Sequence, residues 1–247
     1  VIADNRPGAN GVVAADITAK ANPDGYTLMF VAIGHAINPL LQKNLPYDAD
    51  KDFSAVSLTA ILPQMLALNP KSSATNLKEL LALAKGPKPV NYATGGVGSS
   101  QHLATELMAY MAKVKLNHIP YKGGNQGLLD VIAGHVDFTI TTALTVVPHM
   151  QSKRVRAIAV STAKRLDVAP DVPTMAEAGI PGYESVAWYG MVAPSGIPAK
   201  VMEKLAAETV KATNSAEMKT ALVKQGAIPV GNTPKEFTAF IKNERTK

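Results

Sequence analysis

The residues best suited to chemistry in this sequence lie in one glycine-rich turn. The turn follows a short apolar run and precedes a helix-like pattern, and it reads Thr94-Gly95-Gly96-Val97-Gly98-Ser99-Ser100-Gln101-His102. Its glycines let the backbone turn tightly and approach a ligand closely. Ser99 and Ser100 can cap the helix, whose free N–H groups and positive dipole end favour an anion. The pattern predicts a carboxylate or phosphate site, with a turn that only reverses the chain as the alternative.

Other polar side chains near predicted turns are candidates for the same anion. His35 and His102 each follow a glycine-containing turn, and each can either donate to an anion or only hold the local backbone. Lys122 can neutralise a carboxylate or stay solvated in an exposed turn. The hydroxyl of Thr94, like those of Ser99 and Ser100, can face the anion, with plain capping as the other interpretation.

No spacing typical of a metal site or a catalytic centre is present. His118, His135 and His149 show no His-Glu-x-x-His pattern, and the chain has no cysteine. A Gly-x-x-x-x-Gly-Lys-Ser/Thr loop and a Gly-x-Ser-x-Gly elbow are both missing. We therefore predict no metal, no cofactor and no catalytic residue. A catalytic pair assembled only by folding keeps one alternative open, an α/β enzyme acting on a phosphorylated or carboxylated metabolite.

Charge and hydropathy narrow the class of partner. The formal net charge is +6, but the 25 Lys and Arg residues are scattered along 247 positions and aromatic residues make up only 5%. This distribution favours small anions over nucleic acid. The longest apolar runs, such as 29–33, are too short to cross a bilayer, so we predict a protein that is not membrane-embedded.

Short strands and helices alternate along the chain. Strand-like runs are predicted at 26–33, 90–93, 117–119, 136–142 and 157–161. Capping-box spacings at Asn76/Glu79 and Thr233/Glu236 predict helix starts, and Gly134 predicts a helix end. The alternation indicates an α/β fold with mainly parallel sheets, which place ligands at the carboxyl ends of their strands. Those ends fall at Gly34, Thr94, Tyr121 and 141–143.

Several short runs carry a resemblance to a known family. They include Asn5-Arg6-Pro7-Gly8, Pro23-Asp24-Gly25-Tyr26-Thr27-Leu28, His35-Ala36-Ile37-Asn38-Pro39, Leu45-Pro46-Tyr47-Asp48, Lys51-Asp52-Phe53, His118-Ile119-Pro120-Tyr121-Lys122-Gly123, Asp171-Val172-Pro173-Thr174, Glu177-Ala178-Gly179 and Pro181-Gly182-Tyr183-Glu184. Their order and spacing across nearly the whole chain resemble the Bug family. This family comprises the extracytoplasmic solute receptors of tripartite tricarboxylate transporters.

The resemblance implies a periplasmic, two-lobed α/β binding protein of the type II (Venus flytrap) class that closes on a small carboxylate. Lobe 1 would comprise 1–68 and 189–247, and lobe 2 would comprise 69–188. The implied partners are transiently bound membrane transporter subunits, and the implied oligomeric state is a monomer. A receptor that presents its ligand to a sensor protein stays an alternative. The implied ligand contacts are Gly34, His35, Ala36, Thr94, Gly95, Gly98, Ser99, Ser100, His102, Tyr121, Lys122, Gly123, Thr141, Thr142 and Ala143.

The sequence departs from the family pattern in two places. Family members begin with a strand and a proline- and glycine-rich loop that would precede Val1, so lobe 1 is expected to be incomplete in the sequence given. Many members also carry Asp-Asn where this chain has Thr141-Thr142. Threonines cannot supply the negative charge that an acidic group would offer a ligand amine, so we expect a dicarboxylate or an aromatic acid rather than an amino acid.

Overall fold

The computed structural model describes residues 2–246, in which strands and helices alternate as predicted. The strands are β1 (Met29–Val31), β2 (Phe53–Leu68), β3 (Asn91–Thr94), β4 (Asn117–Pro120), β5 (Phe138–Thr142), β6 (Arg156–Val160), β7 (Val186–Pro194) and β8 (Ile228–Pro229). The helices are α1 (Val12–Ala19), α2 (Ile33–Leu41), α3 (Leu77–Ala84), α4 (Ser100–Ala112), α5 (Gly124–Ala133), α6 (Ala143–Gln151), α7 (Ala199–Thr213), α8 (Ala216–Val223) and α9 (Pro234–Glu244).

The chain forms two compact units. The first contains the described residues up to Ile61, then Trp188–Ala221 and the residues from Ile228 onward. The second contains Leu62–Ala187 and Leu222–Ala227. Val1 and Lys247, the outer ends of the predicted lobe 1, lie outside the described residues. Among residues 2–246, no helix has the length and apolar character that crossing a membrane requires.

The sheet of the second unit is mixed, which corrects the prediction of mainly parallel sheets. Its strand order is β6-β2-β5-β3-β4. Strand β3 runs parallel to β4 and β5, whereas β2 runs antiparallel to β5 and β6. Strand direction depends on pairings between distant residues, such as Met65 with Thr141, and the alternation of elements along the chain does not encode it.

The last four residues of β2, 65–68, are all apolar because both faces of the strand are covered there. Leu66 and Leu68 pack in a cluster with Tyr92, Phe138 and residues of α3 and α4. Met65 and Ala67 pack in a second cluster with residues of α5 and α6. Successive side chains of a strand point to opposite faces, so neighbouring residues enter different clusters.

The first unit packs around the single tryptophan. Trp188 on β7 is fully buried beside Val31, Leu58 and Phe237, and its ring meets the Phe237 ring edge-on at a centroid distance of 5.8 Å. Its Nε1 donates a hydrogen bond to Oε2 of Glu244 on α9 at 3.0 Å. The tryptophan therefore joins β7 to α9 through both apolar burial and a satisfied N–H.

Most of the predicted helix ends are confirmed. Thr233 and Glu236 form a complete capping box at α9, and Gly134 ends α5 with a φ of 83°. At α3, Asn76 accepts a hydrogen bond from the Glu79 N–H, but the Glu79 carboxylate accepts from Thr75 rather than from the Asn76 N–H. The α3 start is thus capped as predicted, without the reciprocal bond of a capping box.

A Gly190→Ala substitution is expected to destabilise the first unit. A Cβ at this position of β7 would overlap the ring of Phe237, which is fully buried and cannot move into solvent. Overpacking of this kind costs about 1–3 kcal/mol, measurable as a lower midpoint of urea unfolding. As the control, Gly190→Ala combined with Phe237→Leu should lose less than the sum of the two single losses. If the two single losses of stability simply add, contacts other than that with the Phe237 ring account for the effect of Gly190→Ala.

Candidate functional site

The carboxyl ends of three neighbouring strands meet at one edge of the second unit's sheet. Because β5, β3 and β4 are parallel and adjacent, the loops that follow them lie side by side. Each loop leads directly into a helix, so the N-termini of α4, α5 and α6 lie at the same edge. Helix N-termini present unpaired N–H groups and a positive dipole end, and this edge is therefore suited to an anion.

The helices differ in how their first N–H groups are satisfied. Ser99 caps α4, because its hydroxyl accepts from the His102 N–H at 3.3 Å and donates to the Gly96 carbonyl at 2.7 Å. Gly123 precedes α5 and Thr142 precedes α6, and in the described part of the chain neither helix has a side-chain cap. The first N–H groups of α5 and α6 are thus left for a ligand or for solvent.

Gln101 connects the three loops, and our sequence-based list of site residues does not contain it. Its Nε2 donates to the Thr141 hydroxyl at 2.7 Å, and its Oε1 accepts from the Gly95 N–H. A Cβ on Gly124 would overlap its amide group. Only 7% of Gln101 is exposed. A neutral amide carries no charge or nucleophile that would mark it as a site residue in the sequence. A polar residue in the first turn of a helix that follows a glycine turn is nevertheless a signal by which Gln101 could have been found.

Thr94 and His102 form hydrogen bonds with the backbone of the glycine turn, and His118 contacts Thr94. Thr94 is fully buried, and its hydroxyl accepts from the Gly96 N–H at 3.1 Å and lies 2.6 Å from Nε2 of His118. His102 accepts from the Gly98 N–H through Nδ1 at 3.3 Å. Burial lowers the pKa of His118, and the neighbouring His102 lowers it further. At neutral pH we therefore expect His118 to be uncharged and to shape the turn.

The loop after β4 is anchored to the loop after β3 by a backbone hydrogen bond. The Tyr121 N–H donates to the Thr94 carbonyl at 2.9 Å, while the Tyr121 hydroxyl donates to Asp130 on α5 at 2.6 Å. Burial, followed by the contact with Asp130, raises the pKa of Tyr121 to about 12, so this hydroxyl stays protonated. The Lys122 side chain is exposed, and Gly123 directly precedes α5.

The end of β5 and the residues after it supply hydroxyls of different accessibility. Thr141 is only 3% exposed and is bound to Gln101, whereas Thr142 is half-buried with its hydroxyl 3.0 Å from that of Thr145. Ala143 is the first residue of α6 and packs in the cluster that contains Met65. Only the backbone of Ala143 can therefore contact a ligand. Ser100 is half-buried at the first position of α4.

The predicted residues of the first unit lie in a helix and not at a strand end. Strand β1 ends at Val31 and α2 begins at Ile33, so Gly34, His35 and Ala36 occupy the first turn of α2. Strand β1 is shorter than the strand predicted over 26–33, because apolar residues of a short buried strand and of a buried helix start look alike in sequence. A Cβ on Gly34 would lie 2.6 Å from the Asn10 carbonyl oxygen, which explains the glycine.

His35 is a buried, neutral histidine. Its ring meets the Phe53 ring edge-on at 4.9 Å, and only 6% of the residue is exposed. Burial lowers the pKa of His35 to about 4, and the positive charge of Arg245 lowers it further than Asp50 raises it. Its Nδ1 has no hydrogen-bond partner among residues 2–246. At neutral pH His35 can thus contribute an N–H group to an anion but no charge.

A separate cavity of about 670 Å³ lies at the other end of the second unit's sheet. It is lined by residues that precede β5 and β6, including Asp137 and Arg154, and by Lys71, Ser72 and Lys153. None of the predicted site residues lines this cavity. The cavity and the glycine turn are therefore distinct features of this unit.

The mixed α/β fold brings several helix N-termini to one sheet edge, an arrangement suited to binding a small anion. The whole chain, residues 1–247, matches the family model described as "Tripartite tricarboxylate transporter family receptor", and the chain belongs to this family. It is 35% identical over 251 residues to Protein BugT of Bordetella pertussis, covering 99% of this chain and 76% of that protein. The predicted Bug family membership is confirmed.

Two solved structures with ligands are close in fold. R. palustris Rpa4515 with adipate has a TM-score of 0.94 and 33% identity, covering 98% of this chain and 82% of that chain. MatC (Rpa3494) from Rhodopseudomonas palustris with bound malate has a TM-score of 0.90 and 31% identity, covering 97% of this chain and 83% of that chain. The predicted periplasmic-binding-protein fold is confirmed, and the chain is a receptor rather than an enzyme.

Proposed function

We propose that the protein is a periplasmic receptor for a small dicarboxylate or aromatic acid and delivers it to a tripartite tricarboxylate-type transporter. The observation that carries this proposal is the meeting of the α4, α5 and α6 N-termini at one sheet edge. A ligand carboxylate placed there would receive backbone N–H groups of α5 and α6 that no side chain caps. The adipate and malate bound to the two structural neighbours support this ligand class.

The residues at the end of β5 support selection against amino acids as ligands. Thr141 and Thr142 end β5 without a carboxylate, so a ligand ammonium group would find no opposite charge there. Burying an ammonium group without an opposite charge is costly, whereas a carboxylate can accept from the uncapped N–H groups of α5 and α6, and an aromatic ring needs no polar partner. We further propose that the two units correspond to the two lobes of the receptor, with the loops of the second unit as its carboxylate-binding part.

Isothermal titration calorimetry of the mature protein tests the ligand class. The panel contains adipate, malate, benzoate and glutamate, the last being an acid with an amino group. We expect at least one of the first three to bind, and glutamate to bind roughly tenfold or more weakly than it, a difference of about 1.4 kcal/mol. Binding of glutamate as tight as that of the best acid would contradict the selection against amines. If no acid binds, the carboxylate proposal fails.

A Thr142→Asp variant tests the location of the site. The new carboxylate stands at the N-cap of α6, where the proposed ligand carboxylate would bind, and it should weaken binding of the best acid about tenfold or more through like-charge repulsion. Thr233→Asp introduces the same change at the N-cap of α9 in the first unit and should leave the affinity unchanged. Equal effects of the two variants would place the ligand elsewhere.

A further inference from the structure

We propose that His102 and His118 are positioning residues that make ligand affinity at the glycine turn sensitive to protons, with affinity lost on acidification. The two rings lie beneath the turn with a centroid distance of 4.5 Å. The inference rests on the proposed carboxylate site and adds its regulation. Its direction is opposite to the simple expectation that a charged histidine attracts an anion.

His102 must be unprotonated at Nδ1 for the turn to keep its shape. The Gly98 N–H donates to this nitrogen at 3.3 Å, so Nδ1 acts as an acceptor. Gly98 is buried and has a φ of 77°, a conformation that glycine adopts readily. A proton on Nδ1 would face the Gly98 N–H, donor against donor, and the turn would lose this contact.

His118 connects the pair to the end of β3. Its Nε2 lies 2.6 Å from the Thr94 hydroxyl, which also accepts from the Gly96 N–H. The Tyr92 ring of β3 stacks on His118 at 5.0 Å, and the Tyr92 hydroxyl donates to Glu106 of α4. Glu106 is the carboxylate that faces the pair. The two ring centroids are 4.5 Å apart, and His102 adds to burial in lowering the pKa of His118.

The loss of turn geometry outweighs the added positive charge. Gln101 joins the turn to Thr141 and lies against Gly124, so a change in the conformation of the turn is transmitted to the loops after β4 and β5. The His102 ring is half-buried, so solvent and salt screen much of its charge. Proton binding therefore reduces the fraction of protein that is ready to bind, and the apparent affinity falls in proportion.

Nuclear magnetic resonance of the ligand-free protein tests the switch without relying on the ligand. In a titration from neutral to acidic pH, the Gly98 amide resonance should move together with the His102 ring resonances, because the Gly98 N–H donates to Nδ1 of that ring. In His102→Asn, whose Oδ1 can replace Nδ1 as acceptor, the Gly98 amide should stay constant. A Gly98 amide that does not respond while His102 becomes protonated would overturn the proposal.

Calorimetry with adipate, or with malate if adipate does not bind, tests the effect on affinity. On acidification the unmodified protein should lose about tenfold in affinity, because Nδ1 of His102 with a proton no longer accepts from the Gly98 N–H and a smaller fraction of the protein is ready to bind. His102→Asn should lose only what protonation of the ligand itself explains. His135→Asn, a change at an exposed ring that is 72% accessible, should keep the original pH dependence.

Two results would overturn the proposal, namely an affinity that rises on acidification and a His102→Asn variant with the original pH dependence. If none of adipate, malate and benzoate binds at neutral pH, the proposed function fails on its own terms. The Gly98 amide titration then still decides whether the histidine pair controls the turn. The two failures are therefore distinguishable.

Discussion

A Gln101→Leu variant is expected to lose both ligand affinity and stability. Leucine has a similar size but removes the acceptor of the Gly95 N–H and the donor to the buried Thr141 hydroxyl. Leaving these groups unpaired should lower the free energy of unfolding by about 2 kcal/mol. Because the same bonds hold the glycine turn to its neighbouring loops, affinity for the best acid should fall about a hundredfold, measured by calorimetry.

Two further variants separate the role of the bonds from the loss of any glutamine. Gln151→Leu changes an exposed glutamine at the last position of α6 and should leave affinity and unfolding within about 0.5 kcal/mol of the original. Thr141→Val removes the hydroxyl that Gln101 contacts, so Gln101→Leu combined with Thr141→Val should cost less than the sum of the single losses. Strict additivity would show that this bond does not connect the loops.

Gln101→Glu distinguishes geometry from charge. Its carboxylate can still accept from the Gly95 N–H, but it places a negative charge beside the N-termini that would hold the ligand. We expect its loss of affinity to exceed that of Gln101→Leu, since like charge adds to the broken bond. An affinity close to the original would argue against an anion at this edge.

Acidification is expected to destabilise the protein through His35. Burial lowers its pKa to about 4 in the folded protein, whereas an unfolded histidine titrates near about pH 6.5. Above about pH 6.5 both states carry neutral His35 and the residue contributes nothing to pH dependence. Between about pH 6.5 and 4 the unfolded state binds the extra proton, so the free energy of unfolding falls as pH falls, by about 3 kcal/mol in total.

The His35 contribution is measured as a difference between two pH profiles of urea unfolding. His35→Leu keeps an apolar side chain against Phe53 and removes the titrating group, so its profile should be flatter by about 3 kcal/mol over this range. His135→Leu removes an exposed histidine and should retain the original slope. Parallel profiles for His35→Leu and the original protein would show that His35 has the same pKa in the folded and unfolded states.

The candidate site could be predicted from the sequence as far as its parts are local. The Ser99 cap lies within three residues of its partner, and the glycine turn, the following helix and the Thr141 loop could each be placed at a strand end. Gln101 could not be assigned, because its bond to Thr141 spans 40 residues and joins two elements whose adjacency depends on strand order. The binding roles of the predicted site residues remain predictions.

By itself, the sequence determined the family, the alternation of strands and helices, and the helix ends at Ser99, Gly134 and Thr233. The helix ends follow from backbone conformation and from hydrogen bonds between residues within one helical turn of each other. Only the tertiary structure decided that β2 runs antiparallel within its sheet, that His35 is buried and neutral, and that Gln101 joins three loops. Each of these depends on pairings and burial between residues far apart in the chain, and no local pattern specifies them.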